Sequence, residues 1–135
     1  MKLLRKLRWL LLLGVLVASV SFAAPLTEDQ KIDALIQSVE TMQGAQFIRN
    51  GSAYDGKAAA DHLRSKRNYA GSRIRTADDF IKGIASHSSM SGQPYQVRFA
   101  DGRIENSEQY FRDELRKIEA HAAAVQPAGS APVKS

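Results

Sequence analysis

The chain has 135 residues and no cysteine, and its 19 Lys and Arg against 14 Asp and Glu give a formal net charge of +5. In an exported chain the lack of cysteine excludes disulfides, thiolate chemistry, Cys-based zinc sites and an acylated lipoprotein cysteine. Lys2, Arg5, Lys6 and Arg8 precede every acid, so beyond them 15 bases face 14 acids; that near-neutral balance excludes a general nucleic-acid binder, which needs many unpaired cations to displace counterions.

Those four bases form the n-region of a secretory signal, and Leu10 to Val20 forms its apolar h-region. At about 11 residues the apolar stretch is shorter than the roughly 20 of a membrane span. Ser21 and Ala23 stand at minus three and minus one, which predicts cleavage between Ala23 and Ala24; an uncleaved anchor is the alternative, because Trp9 and Phe22 lengthen the apolar run. The expected organisation is a signal peptide over 1–23, one globular domain over 24–125 and a disordered tail over 126–135. The tail is rich in Pro, Ala, Gly and Ser and has too little apolar surface to repay ordering. The expected location is the periplasm, with no transmembrane segment after cleavage. The mature chain of about 112 residues is long enough for a single core.

Thr27 with Gln30 makes a capping box for a first helix, in which Ile32, Leu35, Ile36, Val39 and Met42 recur on one face and which Gly44 should end. Gln46 to Arg49 reads as a short strand running into the Asn50-Gly51 turn. A second helix over Gly56 to Tyr69 has a thin apolar stripe anchored by Leu63, with Ala59, His62 and Lys66 on the same face. Gly71 breaks it. Thr76 with Asp79 caps a third helix, which carries Ala77, Phe80, Ile81, Ile84 and Ala85. A hydroxyl-rich loop from Ser86 follows, turns at Gly92 to Pro94 and leaves as a strand in which Tyr95, Val97 and Phe99 alternate with Gln96 and Arg98. Asp101-Gly102 is a turn signal. The last helix, capped by Asn106 or Ser107, carries Tyr110, Phe111, Leu115, Ile118 and Ala122. These elements predict a mostly helical α+β fold, with about four helices packed on a small two-stranded antiparallel sheet.

Three chemistries can be weighed. His62, His87 and His121 lack the four-residue spacing that would put two on one metal, so no metal site and no cofactor is expected. Ser86, Ser88, Ser89 and Ser91 invite a serine hydrolase with His62 as base, yet no nucleophile-elbow pattern is present, and hydroxyls before Gly92 and Pro94 also serve as caps and turn formers. Arg64, Lys66, Arg67, Arg73 and Arg75 place five cations in twelve residues without an acid. They read either as a solvated face balanced by Asp61, Asp78 and Asp79, or as a site for a phosphate, carboxylate or anionic glycan.

The segments Phe47-Ile48-Arg49-Asn50-Gly51, His62-Leu63-Arg64 with Lys66, Ile74-Arg75-Thr76-Ala77 with Phe80-Ile81, and Ala85-Ser86 through Ser88-Ser89, Ser91-Gly92 and Pro94-Tyr95 resemble the YfeK-like family of small exported bacterial proteins. The similarity runs from about Leu26 to Phe111. It implies export in Gram-negative bacteria and a domain of unknown function, and it brings no catalytic residues. Some relatives carry a cysteine shortly before the His-Leu pair; Tyr54 to Asp61 has none here.

The leading expectation is a non-catalytic ligand-binding or protein-interaction module. Its surface would combine Arg49, His62, Arg64 and Arg75 with Ser88, Ser89, Ser91 and Tyr95, and its partner would be an anionic small molecule, a glycan or an envelope protein. The alternatives are a small serine hydrolase using the Ser86 to Ser91 loop and an envelope accessory protein.

Overall fold

The computed structural model describes residues 24–126; the signal peptide expected over 1–23 and nearly all of the tail expected over 126–135 lie outside the described residues. Four helices cover one face of a four-stranded antiparallel sheet. The first helix, α1 (Glu28–Glu40), starts at the capping box formed by Thr27 and Gln30 and buries Ile32, Leu35, Ile36 and Val39. It stops at Thr41, not at Gly44: the Thr41 amide and hydroxyl both donate to the Gln37 carbonyl, and the Met42 amide donates to that of Val39.

The strands β1 (Gln46–Arg49) and β2 (Ser52–Tyr54) form a hairpin around Asn50 and Gly51, both at positive φ (48° and 79°). This is the mirror-image turn whose twist matches the strands it joins. A second hairpin pairs β3 (Gln96–Arg98) with β4 (Ile104–Asn106). The two hairpins join through β1 and β3, giving the order β2-β1-β3-β4. The sheet is therefore four-stranded, where two strands are expected from the sequence. The two extra strands are three residues each and lie at the edges. Ser52-Ala53-Tyr54 has no apolar alternation, and the apolar residue of β4, Ile104, is half exposed.

Register decides which side chains meet. Phe47 opposes Tyr54 on one side and Val97 on the other, and the two-residue period of a strand puts Arg49 and Tyr95 on that same face. Phe47, Tyr95 and Val97 are buried against the helices. Phe47 meets Tyr95 and Phe111 edge-on at 5.3 and 6.4 Å, and Phe111 in turn meets Phe80 at 6.1 Å and Tyr110 at 5.2 Å, a geometry that the ring quadrupoles favour.

The second helix, α2 (Gly56–Ala70), is capped by Asp55 and buries Ala59, Ala60 and Leu63. Small residues let it lie close to α1: a Cβ on Gly56 would stand 2.3 Å from the Val39 carbonyl oxygen. A 3₁₀ turn (Gly71–Arg73) leads to α3, which begins at the Thr76–Asp79 capping box as an α-helical turn (Ala77–Phe80) and continues as a π-helical turn (Ile81–Ala85). The last helix, α4 (Ser107–Val125), buries Ser107, Tyr110 and Phe111. Ion pairs tie the helices at the surface: Arg67 bridges Asp29 and Asp33, Lys31 reaches Glu119, and Arg112 reaches Asp78. Each is worth at most about 1 kcal/mol.

Candidate functional site

The end of α3 lacks a glycine cap, and its carbonyls are taken by groups from other elements. The Lys82 carbonyl accepts from Ser86 Oγ at 3.0 Å, and that of Ala85 accepts from the buried Ser107 Oγ at 2.7 Å. The Ser86 carbonyl accepts from the Tyr95 amide at 2.9 Å. Lys66 Nζ, reaching across from α2, donates to the carbonyls of Ile84 (2.8 Å) and His87 (3.1 Å) and also contacts Tyr95 Oη at 3.3 Å. A cation is well placed there, because the helix dipole is negative at its C-terminal end. The π turn and these borrowed caps set the direction in which the serine loop leaves the helix.

A cavity of about 820 Å³ opens between that loop, the β1–β2 hairpin and α2. The hairpin contributes Arg49, Asn50, Ser52 and Tyr54; α2 contributes His62, Ser65, Lys66 and Tyr69. Arg73, Ile74 and Ile84 line another side, and Ser88, Ser89, Met90 and Tyr95 close it. Tyr95 and Ser88 are buried, whereas Tyr69 and Met90 are 87% and 99% exposed and share the mouth with the exposed Asn50, Ser52, Ser65, Arg73 and Ser89; the cavity therefore has a polar floor and a mixed rim. No Asp or Glu lines it.

Five of the eight residues singled out from the sequence meet at this cavity: Arg49, His62, Ser88, Ser89 and Tyr95. Three do not line it. Arg64 points to the other side of α2 and is held by Glu40 and Asp61. The Arg75 side chain bonds the Ser72 carbonyl. Ser91 lies just outside, its hydroxyl donating to Asn50 Oδ1 at 2.8 Å. With a longer contact from Asn50 Nδ2 to Ser88 Oγ at 3.5 Å, this ties the hairpin turn to the serine loop. The cationic run from Arg64 to Arg75 thus divides. Arg64 and Arg67 make ion pairs on the surface, while Lys66 and Arg73 turn to the cavity. Lys66 and Arg73 belong with the site, and helix phase distinguishes them: Lys66 is four positions from His62, on the same face.

The electrostatics follow from the missing acids. Partial burial, and then the nearby Arg49, push the Lys66 pKa down; burial, then Arg49 and Lys66, lower that of His62. Burial raises the Tyr95 phenol, although Arg49 acts in the opposite direction. Arg49 lies 4.6 Å above the Tyr54 ring and donates to Tyr54 Oη at 3.1 Å, and Arg73 lies 5.9 Å from the Tyr69 ring. Both guanidinium groups rest on aromatic faces, not on carboxylates.

The hydroxyls of Ser86 and Ser88 are occupied with the backbone. Ser88 Oγ accepts from the Met90 and Ser91 amides, both at 3.3 Å. Ser86 Oγ donates to the Lys82 carbonyl and so accepts from Nδ1 of His87 at 2.9 Å, which places a proton, not a lone pair, on the ring atom facing the hydroxyl. His62 Nε2 faces Tyr95 Oη at 3.5 Å. Among the described residues no serine, imidazole and carboxylate line up as a nucleophile, base and orienting group, and no cluster of three metal-ligating side chains occurs.

Residues 26–119 match the family of unknown function DUF5329. The chain belongs to this family. It is also similar to the uncharacterized protein YfeK of Salmonella typhimurium (strain LT2), with 38% identity over 68 residues, which cover 50% of this chain and 57% of that relative. The likeness to YfeK-like proteins read from the sequence is thus shown. No solved structure matches the chain. Among the described residues, no helix of this family member is long and apolar enough to cross a membrane.

Proposed function

We propose that this protein is an exported, periplasmic binding module that captures a small anion in the cavity between α2, the β1–β2 hairpin and the serine loop. One observation carries the reading. Among the described residues, five Lys and Arg side chains make no ion pair: Arg49, Lys66, Arg73, Arg75 and Arg98. Three of the five line one cavity that contains no acid. Arg49 and Lys66 are half-buried and Arg73 is exposed; holding cations partly out of water with no carboxylate beside them costs free energy, part of which an anion entering the cavity would recover. The volume lies in the range typical of small-molecule sites, about 300–1,000 Å³. The secretory signal read from residues 1–23 supports the periplasmic address.

The test is an NMR titration with inorganic phosphate and with acetate. Binding at this site moves the amides of Lys66, Ser88, Ser89 and Tyr95 and raises the His62 pKa, and an Arg49→Gln, Arg73→Gln double variant loses the response. Shifts spread evenly over the surface, or equal response in the double variant, would reject the site. For the address, cell fractionation should find the protein in the periplasm beginning at Ala24; retention in the cytoplasm with Met1 intact would reject it.

A further inference from the structure

We infer that the ligand is a single-chain amphiphile, an alkyl chain bearing one carboxylate or phosphate, bound with its head group at the cavity floor and its chain running outward over the rim. This rests on the anion-binding reading above and specifies its substrate class. The floor supplies a head-group site: Lys66, His62, Ser88 and Tyr95 converge there, with Arg49 at the edge. Of these, Tyr95 and Ser88 are 2% and 5% exposed, so whatever reaches them has shed its water.

A free inorganic anion would use that floor and leave the remainder of the cavity unexplained. Beside the charged groups, Ile74, buried Ile84 and Ala70 line the cavity, and Tyr69 and Met90 stand exposed at its mouth. Those last two are among the most exposed large apolar side chains of the described residues. Tyr69 and Met90 project from different elements, α2 and the serine loop, yet line the same opening. An exposed methionine is flexible and polarizable and adapts to varied apolar partners. Tyr69 and Met90 thus offer apolar surface at a mouth they share with the exposed Asn50, Ser52, Ser65, Arg73 and Ser89, so a chain leaving the cationic floor meets apolar groups on two sides.

The expected numbers follow from chain burial. Each methylene removed from water strengthens binding about fourfold, so a ten-carbon chain with even four methylenes covered binds more than about 100-fold tighter than its short-chain analogue. The experiment is isothermal titration calorimetry on the protein purified as the cell produces it, with decanoate, decyl phosphate, decanol, acetate and inorganic phosphate, all below micelle formation. Decanoate or decyl phosphate should bind at least about 100-fold tighter than acetate or phosphate, and measurably tighter than decanol, which has the chain without the charge. Met90→Ser, at an exposed position that leaves the core intact, should weaken the long-chain ligand several-fold and leave the short anions unchanged; an equal loss for both, or no loss for the long chain, would reject the apolar contact. If acetate or phosphate binds as tightly as its long-chain counterpart, the amphiphile is wrong and the anion site stands. If decanol matches decanoate, or if none of the five binds, both the amphiphile and the anion site are wrong.

Discussion

Replacing Lys66 by Met isolates the group on which the site and the end of α3 both depend. The ammonium donates to two carbonyls, those of Ile84 and His87, and hydrogen bonds involving a charged group are worth roughly 1.5–3 kcal/mol each. Two terms reduce the loss. The carbonyls border an open cavity, so water can replace part of each bond, and the variant no longer holds a cation partly out of water beside Arg49, the cost that lowers the lysine pKa. The methionine stem keeps the packing along α2. The net is a destabilisation of about 2 kcal/mol, and for a domain of this size about 1 kcal/mol corresponds to a Tm change of about 4–8 °C. Urea denaturation and thermal melting should show a Tm about 10 °C lower with an unchanged m-value, and hydrogen exchange should speed up from Ser86 to Tyr95 while α1 is unaffected. A variant with unaltered Tm and unaltered exchange in that segment would refute the claim that Lys66 caps the π turn. A rise in Tm would show that desolvation of the ammonium outweighs its bonds.

Three other perturbations test separate parts of the structure. The imidazolium of His62 is disfavoured in the fold by burial first and by Arg49 and Lys66 next. Between its lowered pKa and the ordinary 6.5 the unfolded chain therefore binds more protons, and its contribution to stability falls as pH falls through that window. The stability difference between wild type and His62→Gln should shift against wild type from about pH 7.5 to about pH 5; a constant difference would place His62 in water. Gly56→Ala drives a methyl into the Val39 carbonyl, 2.3 Å away, and should cost at least about 2 kcal/mol in denaturant titration, whereas a neutral outcome would mean that α1 and α2 are not in close contact there. Asn50→Gly preserves the positive φ of the turn and removes the bond from Ser91. It should cost no more than about 1.5 kcal/mol and accelerate amide exchange from Ser88 to Gly92, and unchanged exchange would show that turn and loop are uncoupled.

Elements with strong local signals were legible in the sequence. Thr27 with Gln30 and Thr76 with Asp79 form the two capping boxes, and the three-and-four spacing of Ile32, Leu35, Ile36 and Val39 marks a buried face. Residues whose role is set by distant partners were not. Edge strands owe their existence to backbone bonds with a neighbour, so Ser52–Tyr54 and Ile104–Asn106 carry little pattern of their own. Cations in one run look alike in sequence; Arg64 and Lys66 differ only in the side of α2 from which they emerge, one toward Glu40 and the other toward the Ile84 carbonyl. The π turn in α3 has no composition signal, because its carbonyls are satisfied by Lys66 and Ser107, 18 and 22 positions away.

The sheet order carries a kinetic consequence. Each hairpin closes over a few residues, but the seam between them pairs Phe47 with Val97, fifty positions apart, and contacts of such separation are costly in chain entropy and slow to form. The cavity straddles that seam, with Arg49 and Asn50 on one bank and Ser88 and Tyr95 on the other. Parting of the seam is a sub-global opening, the kind that native proteins sample below their full unfolding free energy. On the binding reading proposed above, a molecule seated in the cavity would hold that seam shut, acting as a clasp between two hairpins that lie far apart in the chain.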